Sequence, residues 1–558
     1  MGKVFGIDLG TTYSCIAHID ESEKPVVLKN AEGELTTPSA VYFETQTDIT
    51  VGSSAKEYAK MYPNQVVTFI KRSISQPGFK KNINGIDLTP EEISSHILKK
   101  IVQDAENTLR EEQKLGEDEH IRDVVITCPA YFGVAEREAT KQAGIFAGLN
   151  VLSIINEPTA AAITYGVTED SQNKTVLVYD LGGGTFDVTM INIKPGEIKV
   201  VVTGGDDTLG GKDWDNRVLL YLAKQFQEET GTVDEILDNP ETEQELSLAA
   251  ERAKKLLSVK EKAPVSVNYM GEHVRVELTR KIFDEITEDL LTRTIDLTRD
   301  MFKEAEKKGY SQKDVSEILL VGGSSKMPQV MSRVKSEFGI ETKRFDPDES
   351  VAKGAAIYAN KMSEFNIVLE EIARKNNQTI EDVKEQVDKG LMDVEKEAKK
   401  ANIQIRGGRH PGNDVKIINV SSRSFGTVAY NGNDQLKLFN IIIKNAELPA
   451  TGMNSFYPYT DNQQSVKFQV MECLSSDEIV DPELGKEIGT AELSLPSGVT
   501  RDTEIQVTFR LDESGLLHLH AKEMKANREV DAEFQTSTAM DEQQMSDAIR
   551  RCNNSNVN

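Results

Sequence analysis

The feature that most constrains this chain is a duplicated strand–turn–strand pattern. Val4-Phe5-Gly6-Ile7-Asp8-Leu9-Gly10-Thr11-Thr12 has a counterpart in Leu177-Val178-Tyr179-Asp180-Leu181-Gly182-Gly183-Gly184-Thr185. In both, an apolar run reaches an aspartate, a Gly turn carries a threonine, and an alternating run follows, over 14–19 and 186–193. A short apolar run closed by a turn reads as a buried strand. The echo therefore predicts two copies of an α/β lobe with a cleft between them. The turns also have a chemistry. Glycine lets the backbone come close and present N–H groups to phosphate oxygens. Asp8 and Asp180 stand at the strand ends, where carboxylates can hold the waters of a hard cation such as Mg²⁺. One such turn could be a structural corner. Two in register, each with Asp and Thr, point to a phosphate site shared by both lobes.

Further short apolar runs at 124–127 and 318–321 predict more strands of the same sheets, with helices expected over 90–109, 136–146 and 284–308. Val321-Gly322-Gly323-Ser324-Ser325-Lys326-Met327-Pro328 is a third Gly turn, and Pro328 suits the first turn of a helix. Over 362–413 the apolar residues recur at helical spacing, through Phe365, Val368, Leu369 and Ile372, and again from Ile380 to Val394. Gly407-Gly408 closes that region, and beyond it the period becomes two, as in Val466-Lys467-Phe468-Gln469-Val470. Asp512-Glu513-Ser514-Gly515 reads as a hairpin turn.

At 558 residues the chain has room for roughly three to four domains at ~150 residues each. Its net charge of −26 argues against a nucleic-acid surface, which needs a basic face. No run approaches the ~18 apolar residues of a membrane span, and the first residues enter a strand pattern, so neither membrane nor signal peptide is expected. Cys15, Cys128, Cys473 and Cys552 form no CxxC pair, which fits a reducing, cytoplasmic setting.

On its motifs the chain resembles the heat-shock 70 kDa (DnaK-type) molecular chaperones, within the actin-like and hexokinase-like ATPase superfamily. Ile7-Asp8-Leu9-Gly10-Thr11-Thr12-Tyr13-Ser14 and Asp180-Leu181-Gly182-Gly183-Gly184-Thr185-Phe186-Asp187 match its two phosphate loops. Cys128-Pro129-Ala130-Tyr131-Phe132 and Ile155-Asn156-Glu157-Pro158-Thr159-Ala160-Ala161-Ala162 match two further blocks. The resemblance implies a two-lobed α/β ATPase domain over 1–361, a helical insertion over 362–413, and an interdomain linker over 414–420. A mainly-β sandwich for peptide binding follows over 421–537, then a short polar, loose tail over 538–558 with the helical lid absent.

The same resemblance assigns roles. Lys71 and Glu157 would orient the attacking water, Thr11 and Thr185 would bind the terminal phosphate, and Asp8, Asp180 and Asp187 would serve the metal. Gly10, Thr12, Tyr13, Gly182, Gly183 and Gly184 complete the phosphate loops. Glu251, Lys254, Lys255 and Ser258 would meet the nucleoside with Gly322, Gly323, Ser324, Lys326 and Asp348. The family usually has Arg where Lys326 stands. The cofactors implied are ATP and Mg²⁺, with K⁺ a further candidate. Phe456 and Val466 would line the peptide pocket, and Ala429 and Tyr430 would arch over it. Pro129, Arg137 and Asn419 would couple the domains, although Lys416 interrupts the linker's aliphatic run and Ser153 replaces an Arg used in coupling to J-domain proteins.

The implied function is an ATP-dependent chaperone for extended hydrophobic polypeptides, of use in protein folding and stress response, with a J-domain co-chaperone and a nucleotide exchange factor as candidate partners. A regulatory or holding module with weakened interdomain coupling is the alternative. A small-molecule kinase or an actin-like filament on the same ATPase scaffold leaves the β domain unexplained.

Overall fold

The computed structural model describes residues 3–74, 76, 78–168, 173–388, 391–400, 416–512, 515–534 and 542–558. The duplication is visible in its topology. In the first lobe, Phe5–Asp8 pairs antiparallel with Tyr13–Ile19 and parallel with Asp123–Cys128, which pairs parallel with Asn150–Asn156. In the second, Lys174–Leu181 pairs antiparallel with Phe186–Lys194 and parallel with Val315–Val321, which pairs parallel with Glu341–Arg344. Asp8 and Asp180 each lie at or next to the end of the central strand of their sheet. The buried, near-continuous apolar character of these strands is what a sheet covered on both faces requires.

Two helices, Glu157–Thr168 and Ser350–Asn376, belong to an apolar cluster fed by both sheets, with Val4 and Val125 from one and Val178 and Leu319 from the other. Small residues make this possible. A Cβ on Gly354 would stand 1.8 Å from the Ala160 carbonyl oxygen, and one on Gly6 would stand 2.0 Å from the Ala356 nitrogen. The outer helix Pro90–Glu111 starts on a capping box, Thr89 with Glu92. The helix expected over 284–308 is two, Arg280–Ile286 and Glu288–Lys307. They separate at Thr287, whose hydroxyl donates to the Phe283 carbonyl at 2.7 Å, a local competitor for the helix ladder.

No break occurs at 361, because the helix Ser350–Asn376 runs straight across it. Thr379 then caps Ile380–Asp388 through reciprocal bonds with Asp382, both 3.1 Å. This helix and Val394–Lys400 close a small core of Val368, Leu369, Ile372, Val383 and Ala398. Gly407-Gly408 and the start of the expected linker lie outside the described residues. The rest of the linker, Lys416–Ile418, pairs parallel with Glu197–Asp206 as an edge strand of the second lobe's sheet. Lys416 does not spoil this strand. It is exposed while Ile417 packs on the inter-lobe core, because successive strand residues face opposite ways.

The β domain is a sandwich. One sheet runs Ile479–Val480, Leu436–Ile442, Ser424–Tyr430, Ser465–Cys473 and Gly485–Ser494; the other runs Ala450–Phe456, Ile505–Leu511, Leu517–Glu523 and Arg528–Phe534. Part of the 512–515 turn falls outside the described residues, and the strands it joins pair antiparallel.

The tail is not loose. Glu542–Asn554 is a helix against Pro90–Glu111 and Val134–Phe146. Its Ala548 and Cys552 pack on Phe146. Asn556–Val557 then pairs parallel with Asp48–Val51, and Val557 enters the first lobe's core. The polar composition misleads because the apolar residues are few but fall on one face. All four cysteines are free and buried.

Candidate active site

The two Gly turns face each other so closely that the Thr11 and Thr12 side chains of one occupy the space where Gly184 and Gly183 of the other lack side chains. A Cβ on Gly183 would lie 1.9 Å from the Thr12 hydroxyl oxygen, and one on Gly184 would lie 2.3 Å from the Thr11 methyl. Gly322 adopts a φ of +78°, and its missing side chain leaves room for the Asp180 carboxylate. Between these turns opens a cavity of about 570 Å³. Asp8, Gly10, Thr11, Thr12, Tyr13, Lys71, Glu157, Asp180, Gly182, Gly183 and Thr185 line it, together with Glu251, Lys254, Lys255, Ser258, Gly322, Gly323, Ser324, Lys326 and Asp348. Gly184 and Asp187 are not on that wall. Asp187 lies one step behind it, accepting from the Tyr131 backbone N–H at 3.2 Å.

Lys71 is buried, donating to Glu157 Oε1 at 2.6 Å and to the Leu9 carbonyl at 2.5 Å. Burial pulls its ammonium down, but Glu157 and Asp8 outweigh burial and hold the pKa above its usual value. Thr127 donates to Asp8 at 3.1 Å. Burial, reinforced by Glu157, pushes Asp8 up to about 7 and raises Asp180 and Asp187 well above the usual carboxylate range. Four carboxylates around one lysine leave an excess of buried negative charge, a site that attracts a cation. Among the described residues no three acidic, His or Cys side chains converge into a direct metal cage. That arrangement suits Mg²⁺, which keeps most of its waters.

Farther along the cavity, Tyr13 donates to Glu251 at 3.0 Å, Lys255 pairs with Glu251 at 2.9 Å, and Lys56 pairs with it from the first lobe. Burial alone would raise Glu251, but Lys56 and Lys255 pull it to about 2. Lys254 is turned toward Asp215 at 2.7 Å and the Gly211 carbonyl at 2.8 Å. Lys326 forms an ion pair with Asp348. Sequence reasoning missed Lys56, Asp215 and the pair Arg72–Asp213, in which Arg72 also donates to the Gly184 carbonyl at 2.9 Å. These partners are far apart in the chain, and nothing in their local spacing announces them.

The residues expected to couple the domains gather where the β domain meets the lobes. Arg137 donates to Asn156 and to the Phe132 carbonyl, and Asn419 accepts from Thr159 at 3.2 Å. Arg137 and Asn419 line one small cavity with Phe132, Val420, Phe425 and Leu511. Pro129 stands in the turn that carries Phe132 toward this interface. Missed there were Arg423, stacked 4.7 Å from the Tyr131 ring centre, and Glu136 with Glu472. Farther out, Phe456 and Val466 are half-buried at the edge of the sandwich core, on strands of different sheets. Ala429 precedes Tyr430, whose exposed ring packs on Tyr459 at 4.8 Å.

Among the described residues no helix is long and apolar enough to cross a membrane. A family model described as Hsp70 protein matches residues 4–83, 75–385 and 385–557. With that match across nearly the whole chain, on a two-lobed cleft joined to a β sandwich, the chain belongs to the Hsp70 family of ATP-dependent chaperones.

Proposed function

We propose that this chain hydrolyses ATP to ADP and phosphate in the inter-lobe cleft and uses the exchange to change its grip on extended apolar peptide segments. The observation that carries this reading is the convergence of both Gly turns on the buried Lys71–Glu157 pair. Phosphoryl transfer asks a protein mainly for positioning and charge neutralisation. The backbone of 10–12 and 182–185 is placed to cradle the phosphates, with the Thr11 and Thr185 hydroxyls adding donors. Glu157 fixes the Lys71 ammonium, which then orients water toward the terminal phosphate. Asp8 and Asp180 fit the water shell of Mg²⁺, which when bound would offset phosphate charge, and Asp187 stands behind them. Tyr13, Glu251, Lys255, Ser258 and the 322–326 turn frame the nucleoside.

The peptide would lie along the sandwich between the Phe456–Val466 edge and the Tyr430–Tyr459 pair. Backbone hydrogen bonds would supply affinity and one apolar pocket would select the side chain. The strand formed by Lys416–Ile418 on the second lobe favours the coupled reading over an uncoupled holding module, since lobe movement pulls directly on it. Dissociation of a fluorescent apolar peptide, followed with ADP and then with ATP and Mg²⁺, tests this. Faster release with ATP is expected; equal rates would leave a passive binder.

A further inference from the structure

The cleft continues past the phosphate turns. A second cavity of about 70 Å³ adjoins it, bordered by Phe69 and the helix Pro240–Leu257. Thr11, Thr12, Lys212, Asp215 and Glu251 line both spaces, so the two meet beside the Gly10-Thr11-Thr12 turn. The smaller one exceeds the ~10–15 Å³ that a single water needs, and it has no room for a nucleoside.

Its charges are unevenly matched. Glu251 is paired with Lys56 and Lys255, and Asp215 with Lys254. Glu243 is exposed to solvent. Lys212 has no ion pair among the described residues. Its ammonium lies 4.2 Å from the centre of the Phe69 ring, and its backbone N–H donates to the Gly183 carbonyl at 2.9 Å. The side chain is thus anchored between the second phosphate turn and the segment leading to Lys71. The Thr12 hydroxyl, on the opposite turn, is buried with no partner. A buried hydroxyl left unpaired is costly, and so is a half-buried cation. Burial and then Arg72 hold the Lys212 ammonium below its usual pKa, a strain an anion would relieve.

We propose that Lys212 and Thr12 form a binding site for orthophosphate in this smaller cavity, on the route by which the cleaved phosphate leaves the cleft. The site rests on the ATPase reading above. Phosphate accepts from the Lys212 ammonium and from the Thr12 hydroxyl; of the carboxylates lining the cavity, Glu251 and Asp215 are neutralised by lysines and Glu243 is exposed to solvent. Lys212 is therefore a product-holding residue beside the second Gly turn.

The test is titration of inorganic phosphate into the full chain loaded with ADP and Mg²⁺, for wild type, Lys212→Met and Lys212→Arg. Met keeps the stem on Phe69 and removes the charge; Arg keeps the charge. Charge-assisted hydrogen bonds of this kind lead to an expected loss of roughly tenfold or more in phosphate affinity for Met, with Arg restoring most of it. Equal affinity in wild type and Lys212→Met overturns the proposal. So does an equal loss in Met and Arg, which would mark a packing role, and so does a wild type that binds no phosphate. If the wild type binds no ADP, the ATPase reading fails separately, and phosphate titrated into the nucleotide-free chain still decides the Lys212 site.

Discussion

Two places in this molecule bury surplus carboxylates, and they resolve the surplus differently. In the cleft, Asp8, Asp180, Asp187 and Glu157 surround Lys71 beside a large open cavity. At the domain interface, Glu136 and Glu472 are both buried, and each has an oxygen without a hydrogen-bond partner. Those oxygens converge beside Gly133, where a Cβ would lie 2.6 Å from Glu472 and 3.0 Å from Glu136. Lys486 approaches Glu136 only to 3.5 Å and is half exposed, and Arg423 is engaged with Tyr131. Burial and then Glu136 raise the pKa of Glu472 above the usual carboxylate value. The cleft carboxylates open on a cavity of about 570 Å³, with room for a hydrated divalent cation; at the interface a proton on Glu472 relieves its repulsion with Glu136. Similar surplus charge thus sits beside an open cavity in one place and inside a closed domain contact in the other.

The largest effect that would break this comparison is at Lys71. Lys71→Ala or Thr185→Ala is expected to slow single-turnover hydrolysis by about 10²–10³-fold, a loss typical for a group aimed at the transition state, with ATP binding retained. Unchanged turnover would show that the cleft carboxylates serve something other than catalysis.

Next comes the peptide edge, which lies outside both carboxylate sites. Val466→Phe adds bulk to a half-buried position beside the core and is expected to weaken apolar-peptide binding by roughly tenfold. Peptide anisotropy that does not change would move the groove elsewhere.

Adding Mg²⁺ to the nucleotide-loaded chain at pH 7 sharpens the contrast. Carboxyls raised as Asp8 is, to about 7, hold protons that a cation displaces. Release of on the order of one proton is expected, read as a dependence of calorimetric heat on buffer ionisation enthalpy. No dependence would mean that the cleft acids are already ionised.

At the interface the sign is the reverse of a salt bridge. Docking raises the Glu472 pKa, so its contribution is fully present below the undocked value and is lost as pH rises through the docked one. Fluorescence energy transfer between the first lobe and the β domain should therefore fall with rising pH. Glu472→Gln should flatten that profile; a mutant that keeps the wild-type slope rules the pair out as its cause. The smallest effect is at the tail. Arg551→Ala removes the ion pair with buried Glu92, and since Arg551 is half exposed, a loss of about 1 kcal/mol or less is expected in urea unfolding.

Much of the fold was legible because local pattern carries it. The apolar runs ending in Asp and Gly became paired central strands at both copies, and the helical spacing of Val368, Leu369 and Ile372 became one buried helix face. The cleft wall was legible for the same reason, since Gly10 and Gly183 sit where only a bare backbone fits. The tail was misread because composition does not reveal which face Ala548, Cys552 and Val557 share. Lys416 looked like an interruption because a run was expected where an edge strand needs only alternation.

What the sequence by itself determined is the set of strands, turns and donors, because those depend on neighbours within a few residues. Which charges meet was decided only in three dimensions. Lys56 with Glu251, Arg72 with Asp213 and Glu136 with Glu472 join segments separated by long stretches of chain. Their chemistry follows from shared burial, which strengthens every electrostatic interaction and appears only when both partners leave water together.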